Sequence, residues 1–232
     1  MNLQTTNSGT IDINWEIIDT VLLDMDGTIL DLNYDNHVWN NLVPKAFAKE
    51  SNLDADTAKA RMYDRMVEKR GTIDFYRFSH WSQFCNIDMV ELHLNATDLV
   101  QLRPGAEKFI QWLRLRNTQI AIATNADRAS FDIKQSQVDL EGLTDVVVSS
   151  HDYGYPKEDP SFWTRLQAAF PYDPARTLFI DDNETVLDAA AQTGIKHLLC
   201  VSTPDSEQPK RANLRYPSFD NFEEIFPRES NR

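Results

Sequence analysis

The chain predicts an α/β fold: a doubly wound parallel sheet carrying an inserted all-helical segment. Short apolar runs at residues 21–23, 119–123, 145–149, 177–180 and 196–201 alternate with stretches long enough for a helix, the pattern of a parallel sheet with crossover helices. Val21-Leu22-Leu23 is continuously apolar, as in a central strand buried on both faces. Residues 32–98 hold no convincing strand and a single glycine, Gly71.

Residues 1–14 are polar and predict an N-terminal tail. They lack a signal peptide's pattern, and no apolar run approaches membrane-spanning length, so the expectation is a soluble cytoplasmic protein. Val21-Leu22-Leu23 then ends in Asp24-Met25-Asp26-Gly27-Thr28. Gly27 permits a sharp departure from the strand and lets backbone N–H groups approach an anion. Two carboxylates beside such a loop point to metal plus phosphate, although an acidic turn favours the same residues for local reasons.

Residues 32–98 predict a helical cap, leaving residues 15–31 and 99–232 as a discontinuous core. Val38, Trp39, Leu42, Val43, Ala46 and Phe47 recur at helical spacing, as do Ala58, Met62 and Met66, while Trp81, Phe84 and Cys85 mark a third helix. Pro44 is expected to kink or restart the first. Most aromatics of this segment should form the core of a small bundle, with one or two facing a ligand. Trp39, Tyr76 and Trp81 beside Asp35, Asn36 and His37 offer a mixture suited to a planar base with polar edges.

Beyond residue 104, Pro104-Gly105 opens an amphipathic helix carrying Phe109, Ile110, Trp112 and Leu113. The next strand runs into Thr124-Asn125, the following one through His151 and Gly154 to Lys157, and the fourth into Asp181-Asp182. Residues 202–211 and the tail after Phe226 are loop-like. In open α/β sheets, strand C-termini converge on one crevice. A phosphoryl group needs donors and cations there, and Mg²⁺ needs hard oxygen ligands. Singly, Thr124 could cap a helix, Lys157 could be solvated, and Asp181 or Asp182 could be an N-cap.

With 23 Lys and Arg against 36 Asp and Glu, the net charge is −13. That field disfavours nucleic acid and acidic membranes as partners, and a phosphorylated small molecule needs local neutralisation. Cys85 and Cys200 lie far apart without zinc-site spacing and read as buried free thiols. His37, His80, His93, His151 and His197 show neither metal-ligand spacing nor a paired nucleophile.

Over residues 15–206 the chain resembles the haloacid dehalogenase superfamily of aspartate-nucleophile phosphatases. The matching motifs are Asp24-Met25-Asp26-Gly27-Thr28, Thr124-Asn125, Lys157 in Gly154-Tyr155-Pro156-Lys157, and Asp181-Asp182. The resemblance implies a Rossmann-like core with a helical cap after the first motif. It implies Asp24 as nucleophile, Asp26 as acid and base, and Mg²⁺ held by Asp24, the Asp26 carbonyl and Asp182 with help from Asp181. Phosphate would be gripped by Thr124, Lys157 and the N–H groups of Met25 and Asp26, with Asn125 positioning Asp24. Many members carry a further Asp four residues after the motif-four ligand, where this chain has Val186, so the metal shell must lean on Asp181 and Asp182.

Leu30-Asp31-Leu32, Asp35-Asn36, Trp39, Leu42-Val43-Pro44, Pro156-Lys157-Glu158-Asp159 and Pro204-Asp205-Ser206 further resemble bacterial GMP/IMP 5′-nucleotidases of that superfamily. The implied substrate is a purine nucleoside 5′-monophosphate. A phosphatase for sugar phosphates is the alternative. A receiver-type signalling module also combines paired acids, a phosphorylatable Asp, Thr and Lys, but its acids precede the phosphoacceptor and it has no helical insertion. Dehalogenation is disfavoured by Asp26, an acid/base carboxylate that carbon–halogen chemistry lacks in that family.

Overall fold

The computed structural model describes residues 4–5 and 11–226 of the 232-residue chain. Its centre is β3 (Thr20–Leu23), whose Val21, Leu22 and Leu23 are fully buried. Val21 and Leu23 face one apolar cluster and Leu22 another, so the continuous run reflects burial on both faces. Each such side chain contributes roughly 1.5–3 kcal/mol on burial.

Around β3 stand β4 (Gln119–Thr124), β5 (Val146–Ser149), β6 (Thr177–Asp181), β7 (His197–Val201) and β8 (Ser218–Phe219), in the parallel order β5-β4-β3-β6-β7-β8. This is the doubly wound order, and the switch point falls at the C-terminal end of β3. The expected strands are present within one residue at their ends. The two-residue β8, which pairs Cys200 with Ser218 and Val201 with Phe219, is too short to leave a periodicity.

The expected N-terminal tail is corrected in part. β1 (Gln4–Thr5) and β2 (Ile11–Asp12) pair antiparallel, and Ile11 and Ile13 are buried in the cluster on one face of the sheet. Their period-two spacing within a polar stretch is the signal that anchors them. The rest of the expected tails, residues 1–3, 6–10 and 227–232, lies outside the described residues.

Between Leu32 and Leu99 the described residues form α1 (Asn33–His37), a π turn (Val38–Leu42), α2 (Val43–Glu50), α3 (Ala55–Lys69), α4 (Phe78–Cys85) and α5 (Met89–Leu94), with short 3₁₀ turns. Pro44 lies in the first turn of α2, directly after the π turn. Proline brings no N–H and crowds the preceding turn, so the helix widens there, with the Val43 N–H donating to Val38 O. Tyr34, Val38, Val43, Phe47, Met62, Phe78 and Trp81 share one cluster.

The sheet is flanked by α6 (Ala106–Leu115), α7 (Arg128–Gln135), α8 (Leu140–Leu143), α9 (Pro160–Ala169) and α10 (Glu184–Gln192). α7 joins two layers, because Phe131 packs in the sheet's cluster while Ile133 packs in the cluster of the inserted helices.

Candidate active site

Strand register brings the polar residues together. Leu23 pairs with Ile122 and with Ile180, so Asp24 stands level with Asp181, and the Asp24 N–H donates to Ile180 O at 2.9 Å. The chain then leaves the sheet through a turn in which Ile29 and Leu30 N–H donate to Met25 O at 3.0 and 2.8 Å. Gly27 has φ +81°, and a Cβ there would lie 2.9 Å from Asp182 Cγ. Only glycine permits both that backbone and the close approach of Asp182.

Lys157 is buried and donates from Nζ to Asp24 Oδ1 and to Asp181 Oδ2, the latter at 2.8 Å. Its loop is fixed by Asn125 Oδ1, which accepts the Lys157 N–H at 2.8 Å, and by Trp163 Nε1, which donates to Lys157 O at 2.8 Å. Asn125 Nδ2 donates to Glu158 Oε2 at 3.0 Å, and the Tyr76 hydroxyl donates to Glu158 Oε1 at 2.5 Å. This corrects the expectation that Asn125 positions Asp24: its amide secures the Lys157 loop. Thr124, 1% exposed, accepts the Ala126 N–H at 3.0 Å, whereas Asp127 is the N-cap of α7.

Asp24, Asp181 and Asp182 each offer a carboxylate oxygen within 4.8 Å of the others. Burial pushes Asp24 up to about 7; the charges of Asp181 and Asp26 add to this and Lys157 opposes it. Asp182 is pushed up to about 7 by burial and by Asp24, and Asp181 to about 6 by burial against the pull of Lys157. Burial pulls the Lys157 ammonium down, but Asp181 and Asp24 more than offset this and hold it above its usual value. Three crowded hard-oxygen ligands with too little positive charge are a donor set that could hold a hard divalent cation. Both oxygens of Asp181 are engaged, by Lys157 and by the Asn183 N–H at 2.7 Å, and no hydrogen bond among the described residues uses the Asp182 carboxylate.

The Asp26 carboxylate is not in that cluster. Its Oδ1 accepts from Lys134 Nζ at 2.7 Å, and the same ammonium donates to Asp35 Oδ1 at 2.8 Å. Burial and the Asp35 charge push Asp26 up to about 6, against Lys134. The sequence reading missed Lys134, which is 1% exposed. A lysine beside Phe131 and Ile133 on the inward stripe of α7 is the signal that could have found it.

These groups share a cavity of about 350 Å³. Asp24, Asp26, Thr124, Asn125, Lys157, Asp181 and Asp182 line it together with Asp35, Asn36, Trp39, Tyr76 and Trp81. Asn36 Nδ2 is tied to Asp205 Oδ2 at 2.6 Å. Trp81 is 1% exposed with Nε1 bonded to Phe75 O, so it is chiefly core. The Met25 side chain is buried in the sheet's apolar cluster, so Met25 can offer only the backbone N–H expected of it. His37 is a correction. His37 is not among the lining residues, because one residue's step along α1 from Asn36 turns it away. The sequence reading also missed Leu32, Asn40, Met66, Phe75 and Phe78, whose apolar or amide character marks bundle core and cavity wall alike.

A model of the haloacid dehalogenase-like hydrolase family matches residues 18–194. The chain belongs to that family. It is 35% identical over 217 residues to the GMP/IMP nucleotidase YrfG of Escherichia coli, covering 94% of this chain and 98% of that one. It is 26% identical over 188 residues to the bifunctional riboflavin kinase/FMN phosphatase of Arabidopsis thaliana, covering 79% of this chain and 48% of that one. The HAD phosphatase of Thermococcus onnurineus superposes with a TM-score of 0.74 at 18% identity, covering 90% of this chain and 96% of that one, a likeness of fold. This family member is a phosphomonoesterase by class, with a Rossmann-like core. No described helix is long and apolar enough to cross a membrane.

Proposed function

We propose that the protein is a Mg²⁺-dependent 5′-nucleotidase that hydrolyses purine nucleoside monophosphates, GMP and IMP foremost. The observation that carries this reading is the single cavity in which Asp24, Asp26, Thr124 and Lys157 meet a wall of Trp39, Phe75, Tyr76, Asn36 and Asn40. One end suits a phosphate and the other a flat base with polar edges. The GMP/IMP nucleotidase matched along nearly the whole chain supports the same substrate class. Residues 32–98 serve as the cap, with residues 15–31 and 99–232 as the core.

Asp24 is the nucleophile. Its carboxylate attacks phosphorus in line with the departing 5′-oxygen, and the resulting aspartyl phosphate is hydrolysed by water, so that one slow displacement becomes two faster ones. Asp26 gives its proton to the departing oxygen and then takes one from the attacking water. A carboxyl pushed up to about 6 can hold that proton near neutrality better than an ordinary aspartate. Lys157 neutralises the non-bridging oxygens and Thr124 donates to them, with the N–H groups of Met25 and Asp26 completing the grip. Asn125 keeps Lys157 in place through its backbone. Asp24, the Asp26 carbonyl and Asp182 would hold Mg²⁺ with Asp181 behind them, and the ion when bound supplies charge neutralisation for the nucleophile and the transferring oxygens.

The test is kcat/KM for GMP, IMP, AMP, UMP and several sugar phosphates at saturating Mg²⁺. GMP and IMP should lead. A sugar phosphate ahead by tenfold, about 1.4 kcal/mol of transition-state discrimination, would replace the nucleotidase reading with that of a sugar-phosphate phosphatase.

A further inference from the structure

Lys134 is a buried cation that the mechanism above does not use. It reaches from α7 into the space between the motif loop and α1, where it donates to Asp26 Oδ1 at 2.7 Å and Asp35 Oδ1 at 2.8 Å. The centroid of the Tyr34 ring lies 5.5 Å from Nζ. Asp35 Oδ2 is buried without a partner among the described residues, so Asp35 depends on this ammonium. The Asp26 side chain remains 21% exposed and lines the cavity.

Stability does not explain this arrangement. A buried ion cluster is often no more stabilising than apolar residues of the same volume, because each charge loses its hydration. Lys134 is 1% exposed and lies against the Tyr34 ring of the inserted helices, a place where an apolar side chain would meet no loss of hydration. α7 is also tied to those helices a second time, since Asp127 Oδ2 accepts the Phe78 N–H at 2.7 Å. α7, which packs in both layers, therefore carries the cation that holds the proposed acid.

We propose that Lys134 is a positioning residue: by gripping Asp26 and Asp35 together, it holds the Asp26 carboxyl facing the departing oxygen and makes that placement depend on the seating of α1. The proposal rests on the phosphatase reading, and specifically on Asp26 as the acid. In the step concerned, an Asp24 oxygen bonds to phosphorus, the bond from phosphorus to the ester oxygen breaks, and the Asp26 proton moves to that oxygen. This leaves an alcohol, an aspartyl phosphate and the Asp26 carboxylate. Misplacing Asp26 should harm esters whose leaving oxygen needs the proton and spare those whose leaving group departs as a stable anion.

The experiment compares kcat/KM for GMP and for p-nitrophenyl phosphate at saturating Mg²⁺ in the parent, Lys134→Met, Asp35→Asn and Asp26→Asn. Because kcat/KM ends at alcohol release, the later hydrolysis of the aspartyl phosphate does not enter. Lys134→Met should lower the GMP to p-nitrophenyl phosphate ratio by about 100-fold, Asp26→Asn by at least as much, and Asp35→Asn by about tenfold. A Lys134→Met enzyme that loses both activities equally, while Asp26→Asn shifts the ratio, overturns the inference and leaves the phosphatase reading standing. An Asp26→Asn enzyme with an unshifted ratio overturns both. If Lys134→Met does not fold, Asp35→Asn decides, and an unshifted ratio there overturns the inference. Any alkyl phosphate that the enzyme turns over serves in place of GMP, so the result does not depend on the nucleotide preference.

Discussion

At the scale of single residues, two aspartates one residue apart meet different cations, and the proposed mechanism gives them different work. Asp24 faces Lys157 and the acid cluster, while Asp26 faces Lys134. Asp24→Asn and Asp26→Asn should each abolish turnover of nucleotides with the fold intact. Near-normal phosphate release by either variant, with an unchanged melting curve, would reverse that assignment. Asp181 and Asp182 should separate by measurement as well. Asp182→Ala should raise the Mg²⁺ concentration for half-maximal activity more than Asp181→Ala does. Asp181→Ala should instead lower Tm more, because it removes the acceptor of a buried ammonium and of the Asn183 N–H. The opposite pairing of effects counts against Asp182 as the principal ligand.

At the scale of elements, α7 and the β3 loop join sheet, cavity and inserted helices. Asp127 caps α7 through the Ser130 N–H at 2.9 Å and holds the Phe78 N–H with its other oxygen. Asp127→Ala should cost about 1–2 kcal/mol for the cap and more for the orphaned Phe78 N–H, measured as a lower urea midpoint with an unchanged m-value. A change below about 0.5 kcal/mol would show that the strap between α7 and α4 carries little. The loop at residues 202–211 is a comparable tie. The Leu32 N–H donates to Pro204 O at 2.9 Å and the Ser206 N–H to Asp31 Oδ1 at 3.1 Å, which fixes the start of α1 to the end of the sheet.

At the scale of the whole molecule, a net charge of −13 surrounds a site that itself concentrates carboxylates. Asp24 and Asp182 at about 7, and Asp26 and Asp181 at about 6, lie above the unfolded value of about 3.9. Groups raised in this way contribute stability below about pH 4, and that contribution is lost as pH rises through 6 to 7. On the proposed reading, a divalent cation would bind the ionised cluster of Asp24, Asp181 and Asp182 and relieve the repulsion. The Tm gain on adding saturating Mg²⁺ should therefore be larger at pH 8 than at pH 5, where protons compete. Equal gains at both pH values, or none, would place the cation elsewhere. Calorimetric scans with and without Mg²⁺ at the two pH values measure it.

The sequence by itself predicted the parallel sheet and the helical run between residues 32 and 98, and it singled out Asp24, Thr124, Lys157, Asp181 and Asp182 as candidates, because apolar runs ending in polar residues are local patterns; the folded chain lines one cavity with those five. Tertiary structure decided what each polar atom touches. That Asn125 serves Lys157, that Glu158 receives the Tyr76 hydroxyl, and that Lys134 lies between Asp26 and Asp35 are contacts across 32, 82 and about 100 residues. No spacing rule reaches so far, since side-chain partners follow from how helices seat on a sheet. His37 and Asn36 are neighbours in sequence, yet only Asn36 reaches the cavity, because a helix turns by roughly 100° per residue. Ile11 and Ile13 likewise entered the core through a partner surface that only the folded chain supplies.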